Sequence, residues 1–147
     1  MSSKRRSQPE ISAGGVVVRG HDAAVIVPRK PGPDGTRTLA LPKGHPDDGE
    51  SLAEAATREV REETGLEADI VERLGDVEYT YRRKSGRTRP KKVTFYLFDY
   101  RSGDVADHDD EVEEARWMPL AQAATALSYE GERTMAARAL SQISSDG

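Results

Sequence analysis

Apolar residues fill two short runs near the start of the chain, ISAGGVVVRG from Ile11 and AAVIVPRK from Ala23. A polar turn at Gly20-His21-Asp22 parts them. β-Branched residues are frequent in both, so the pattern predicts two strands joined by a turn. PGPDGTRT, residues 31–38, has the proline and glycine content of a loop. LALPKG, residues 39–44, predicts a short strand. Over residues 52–64 the apolar spacing changes to that of a helix. Ser51 and Glu54 form the S-x-x-E capping box at its start, and Gly65 is a natural stop. LEADIVERLGDVEYTYRR then reads as a long or broken strand, KSGRTRP as a turn and KKVTFYLFDY as another strand. SGDVADHDDE is an acidic loop, and EEARWMPL one more strand. LAQAATAL and GERTMAARALSQI close the chain as helices. No repeat and no second core is visible. Strands before and after one central helix predict a single α/β domain, a mixed sheet with helices on both sides. The predicted boundaries are a disordered basic arm over 1–10, one domain over 11–143 and a frayed tail over 144–147.

Composition narrows this picture. The 147 residues suit one domain with a real core. There is no cysteine, which excludes disulfides, a thiolate nucleophile and a cysteine zinc site. No apolar run approaches a membrane span, and MSSKRRSQPE lacks the apolar stretch of a signal peptide, so a cytoplasmic protein is expected. The net charge of -4 argues against a dedicated nucleic-acid coat. One dense basic run stands out, RRKSGRTRPKK, with Arg82, Arg83, Lys84, Arg87, Arg89, Lys91 and Lys92.

The central helix carries the candidate chemistry. Measured from Glu59 at about 100° per residue, Leu52 falls near 20°, Ala56 near 60° and Ala55 near −40°. Glu63 falls near 40° and Glu62 near −60° by the same geometry. Glu59 and Glu63 therefore lie inside the apolar arc, with Glu62 at its edge. Buried carboxylates must pair, bind a metal or take a proton. Acids here also oppose the helix dipole and repel one another. Arg58 and Arg61 cannot easily neutralise three acids on one face. Hard oxygen ligands at this density suit Mg²⁺. An exposed helix of Arg/Glu pairs is the bland alternative.

The full spacing decides between them. Gly44, Glu50, Arg58-Glu59-Val60, Glu62-Glu63, Gly65 and Leu66 fit G, five residues, E, seven residues, R-E, aliphatic, any, E-E, any, G, aliphatic. This is the Nudix box without a departure, and from Ser12 to about Leu140 the chain resembles a Nudix hydrolase. The resemblance implies an α/β/α sandwich around a mixed sheet. It also implies hydrolysis of a nucleoside diphosphate linked to another group, dependent on Mg²⁺ or sometimes Mn²⁺. By that resemblance Glu59, Glu62, Glu63 and the carbonyl of Lys43 bind metal, and Arg58 orients a carboxylate, Glu50 or Glu62. Gly44, Glu50 and Gly65 are structural members of the motif. The general base is Glu59 or Glu111, and Glu111 is also a candidate metal ligand among the neighbouring acids Asp109, Asp110 and Glu113.

The substrate rests on other features. LPKGH and SAGGV resemble the branch that cleaves diadenosine polyphosphates, as does a tyrosine after the box, here Tyr79 or Tyr81. Two tyrosines that alternate on a strand share a face and can stack on purines. Lys91, Arg83 and Lys43 are candidate polyphosphate contacts, and His45 and Tyr129 are further substrate-binding candidates. The leading expectation is hydrolysis of diadenosine tetra- to hexaphosphate by a monomer or homodimer. A MutT-like triphosphate pyrophosphohydrolase is the runner-up, ahead of ADP-ribose, diphosphoinositol polyphosphate and RNA 5′ ends. A catalytically silent nucleotide sensor is the alternative from another class, and the complete set of box acids argues against it. His21 and His108 read as solvated, and Trp117 as core.

Overall fold

The computed structural model describes residues 8–146. The predicted arm therefore lies, up to Ser7, outside the described residues. Six strands form one sheet: β1 (Glu10–Arg19), β2 (Asp22–Pro28), β3 (Lys43–Gly44), β4 (Leu66–Arg82), β5 (Thr88–Gly103) and β6 (Val112–Pro119). The order is β4-β5-β1-β2-β6, with β3 paired to β1. β1 runs parallel to β5, and every other pairing is antiparallel, so the sheet is mixed.

Alternation on the strands sends side chains to two helical layers. Val16 and Val18 of β1 join Val93, Phe95 and Leu97 of β5 on one face. That face packs on α2 (Leu120–Ala126) and α3 (Glu130–Asp146) through Leu120, Ala123, Met135, Ala136 and Ala139. Ala13 and Val17 point the other way and meet Ala55, Ala56 and Val60 of α1 (Leu52–Thr64), with Phe98 from β5. The molecule is thus an α/β/α sandwich.

Local chemistry sets the limits of α1. Both bonds of the capping box are made, Glu54 N–H to Ser51 Oγ at 3.1 Å and Ser51 N–H to Glu54 Oε1 at 2.9 Å. Gly65 ends the helix at φ 78°, a left-handed conformation that side-chain-bearing residues resist.

LALPKG and the last helix differ in extent from the expectation, while the segment after Gly65 keeps its expected length. LALPKG yields only the two residues of β3 and one isolated bridge, Ile26 to Ala40. Pro42 has no N–H to give a ladder, and its carbonyl instead accepts from Gly15 N–H at 3.1 Å. The segment after Gly65 is a single strand bent by register shifts near Ala68, Ile70 and Arg73. The last helix runs to Asp146, beyond the expected stop at 143. Among the described residues no helix is long and apolar enough to cross a membrane.

Candidate active site

The acids come first. Glu59 and Glu63 are one turn apart on α1 and lie under the short strand β3. Glu63 Oε1 accepts the Lys43 backbone N–H at 2.9 Å. A Cβ on Gly44 would overlap the Glu59 carboxylate and would force it to move. Burial pushes the Glu59 carboxyl above its ordinary value; Arg58 opposes this, while Glu62 and Glu111 add to it. Burial also pushes Glu63 up to about 8, against the Lys43 hydrogen bond and with the charge of Glu59. Glu62 is more open, its side chain 44% exposed.

Arg58 ties these groups together. Its Nε and Nη2 form a fork on Glu50, at 2.8 and 2.9 Å. Nη1 reaches Glu59 Oε2 at 3.2 Å and Glu62 Oε1 at 3.1 Å, and Nη2 also donates to the His45 carbonyl at 2.9 Å. The expected partner was Glu50 or Glu62; the guanidinium serves both and Glu59 besides. Its hydrogen bond, with one from the Asp47 backbone, holds the Glu50 carboxyl down to about 2. Arg61 is exposed and shares in none of these bonds.

The acidic loop is pinned to the end of α1. A 3₁₀ turn at Val105–Asp107 is capped by Asp104, and Asp109 N–H donates to the Glu62 carbonyl at 2.9 Å. The pinning brings Asp109 electrostatically onto Glu63 and Glu111 onto Glu59. Glu111 is exposed, and among the described residues its carboxylate accepts no hydrogen bond.

A second group gathers on the α3 side of the sheet. Tyr79 pairs with Lys91, and Tyr81 with Arg89, across β4 and β5. Both pairs fall in the alternation that places Val93 and Phe95 against α3. Tyr79 is 43% exposed and Tyr129, just before α3, 38% exposed. The Lys43 ammonium lies 5.6 Å from the centre of the Tyr129 ring. Burial and the neighbouring charge of Lys43 push the Lys91 ammonium below its ordinary value, with Glu10 opposing. Burial likewise raises the Tyr79 hydroxyl, and Lys43 opposes it.

Tyr81 joins the second group through Glu10, which also pairs with Lys91 at 3.8 Å, whereas Arg83 joins neither group. Tyr81 donates its hydroxyl to Glu10 at 3.1 Å. The His45 ring turns toward β1, with Nδ1 3.0 Å from the Ile11 carbonyl. Arg83 stands exposed in the hairpin turn, its N–H on the Arg87 carbonyl. One residue was missed: Glu132, 4% exposed on α3, pairs with Lys43 Nζ at 2.7 Å. A lone acid in the first turn of a predicted helix reads as a favourable dipole partner, and nothing local marks it for burial.

The donor set suits a hard divalent cation. Every available donor is oxygen, from Glu59, Glu62, Glu63 and the Lys43 carbonyl, and Gly44 leaves room over Glu59. Among the described residues no three acid or imidazole side chains are yet gathered into one coordination shell. Arg58 holds Glu59 and Glu62 in this arrangement.

Comparison with known proteins places this geometry. A Mycobacterium tuberculosis protein, provisionally named mutator protein MutT4, is 36% identical over an alignment covering 99% of the chain and 62% of that protein. The rat asymmetrical bis(5'-nucleosyl)-tetraphosphatase is 34% identical, with 66% of each chain covered. The chain thus spans less than two thirds of MutT4, and 29% of a Mycolicibacterium smegmatis 8-oxo-(d)GTP phosphatase that it also resembles. In fold, a NUDIX hydrolase of Nitrosomonas europaea matches with a TM-score of 0.72 at 20% identity, over 92% of this chain and 90% of that one. A Caenorhabditis elegans Ap4A hydrolase matches at 0.66 and 20% identity, over 92% and 98%. The model of the NUDIX domain fits residues 8–139, the whole span that carries the box, both walls and Glu132: the chain belongs to the Nudix family.

Proposed function

We propose that the chain is a Mg²⁺-dependent pyrophosphohydrolase that cleaves diadenosine polyphosphates of four to six phosphates. The observation that carries this reading is the second wall. Two partly exposed tyrosines, Tyr79 and Tyr129, flank two lysines, Lys43 and Lys91, beside the acids of α1. Tyrosine faces stack on purines, and ammonium groups answer a polyphosphate chain. The name of the rat relative points the same way.

In this reading Glu59, Glu62, Glu63 and the Lys43 carbonyl hold the cation, and Mn²⁺ would fit the same donors. A cation held there would supply charge neutralisation on the phosphate chain and would make water a better acid. Arg58 keeps the acids apart and oriented. Lys43 and Lys91 hold the phosphates in line. Glu111 takes the proton from the attacking water, because its carboxylate is uncommitted while Glu59 is held by Arg58 under Gly44. Glu111→Gln should lower turnover roughly a thousandfold, and Glu59→Gln should chiefly weaken metal binding. A near-wild-type Glu111→Gln would move the base to Glu59.

The name of the Mycolicibacterium smegmatis relative, an 8-oxo-(d)GTP phosphatase, supports a second reading, hydrolysis of an oxidised nucleoside triphosphate. Chromatography of products separates the two. The panel is diadenosine tetra- and hexaphosphate, oxidised and normal deoxyguanosine triphosphate, ADP-ribose and a diphosphoinositol polyphosphate, with Glu63→Gln as control. Preference for the dinucleotides supports the first reading. Preference for the oxidised triphosphate keeps the chemistry and overturns the role given to the tyrosine pair.

A further inference from the structure

Glu132 is buried, charged and 91 residues away in sequence from the backbone it touches. Its Oε1 accepts the Leu41 N–H at 2.8 Å, and its Oε2 meets Lys43 Nζ at 2.7 Å. Two more bonds run alongside. Leu39 N–H donates to Ser128 Oγ at 2.8 Å, and Ser128 N–H to the Leu39 carbonyl at 2.9 Å. Alternate residues of the segment Leu39–Lys43 are thus strapped to the start of α3. The opposite side of Lys43 is fastened to α1, through its N–H on Glu63.

A buried carboxylate is expensive unless it is fully bonded, and here each oxygen has a partner. The outcome is a lysine whose backbone is fixed by one helix and whose ammonium is fixed by the other. A free lysine carries several rotatable bonds and loses their freedom on meeting an anion. One already held loses less, which strengthens binding without adding a contact. Glu132 lies three residues after Tyr129, and the ammonium it holds is 5.6 Å from the centre of that ring.

We propose that Glu132 is a positioning residue: it aims the Lys43 ammonium at the phosphate chain and couples it to the tyrosine wall. This rests on the function proposed above. The test is a double-mutant cycle of Glu132→Gln and Lys43→Met, read by calorimetric binding of a methylene-bridged diadenosine tetraphosphate in Mg²⁺. Glu132→Gln keeps an acceptor for Leu41 and removes the charge that aims Lys43. It should weaken binding about tenfold, Lys43→Met should weaken it further, and the double variant should match Lys43→Met alone. Losses that multiply in the double variant overturn the proposal, as does a Glu132→Gln protein of lower melting temperature but unchanged affinity. Should Glu132→Gln fail to fold, the exchange Lys43→Glu with Glu132→Lys restores the ion pair from the other side. Fold and binding both restored by the exchange would mean a merely structural pair; fold restored with binding still lost supports positioning. Wild-type protein that does not bind the analogue defeats the proposed function itself, a separate outcome.

Discussion

Gly44 shows how one missing atom shapes a site. Gly44→Ala would place a methyl group into the Glu59 carboxylate. The expected result is a protein with normal circular dichroism and turnover reduced at least a hundredfold; activity within threefold of wild type would mean that Glu59 is not needed where it lies. Two other glutamates act on stability with opposite signs. Burial raises Glu63 from 4.5 to about 8, so the metal-free folded chain keeps a proton that the unfolded chain releases. Its contribution is complete below pH 4.5 and is lost as pH rises through 8, with a slope of at most about 1.4 kcal/mol per pH unit. Arg58 lowers Glu50 from 4.5 to about 2, so that contribution is present above pH 4.5 and is lost as pH falls through 2. Urea unfolding with a chelator should therefore show greatest stability near pH 5, and Glu63→Gln should flatten the decline toward pH 8. A wild-type chain that gains stability from pH 5 to 8 would contradict this assignment.

At the scale of elements, α1 was legible and its surroundings were not. The capping box, the left-handed glycine and the acid arc are all local properties of residues 51–65, and local rules reach them. Ser51→Ala removes one cap bond and should cost about 1 kcal/mol in denaturant unfolding. Arg58→Lys should cost more function than stability. A lysine cannot hold Glu50 with two parallel bonds while also reaching Glu59 and Glu62. Metal affinity should fall at least tenfold by calorimetry, and unchanged affinity would reduce Arg58 to a helix ion pair. The acidic loop was harder to read. Its composition says loop, but the bond from Asp109 to Glu62 depends on where the end of α1 meets β6, which no local pattern encodes. β3 shrank for a reason visible in advance, since Pro42 sits in the middle of its run. Glu132 was out of reach of any window, because its partners lie at Leu41 and Lys43.

For the whole molecule, the alternation of β1 and β5 decides what meets what. It sends Ala13, Val17 and Phe98 to α1, and Val16, Val18, Val93, Phe95 and Leu97 to α3, and the fold class followed from strand and helix order alone. A cation at the acids should raise the melting temperature through mass action. The rise should be larger at pH 8.5 than at pH 6, because at lower pH the cation must displace a proton from Glu63. Equal shifts at both values would place the ion elsewhere.

Lys43 is the seam between two walls built by different parts of the chain. The acids come from one helix on one face of the sheet; the tyrosines and Lys91 come from a hairpin and a helix start on the other. A lineage could therefore exchange residues 79–91 and Tyr129 and acquire a new ligand while residues 44–66, Ser128 and Glu132 stayed as they are. A shift of one residue within β1 has no such licence, for it would turn both faces inside out at once. Variation in this architecture is cheap at the hairpin and forbidden beside it.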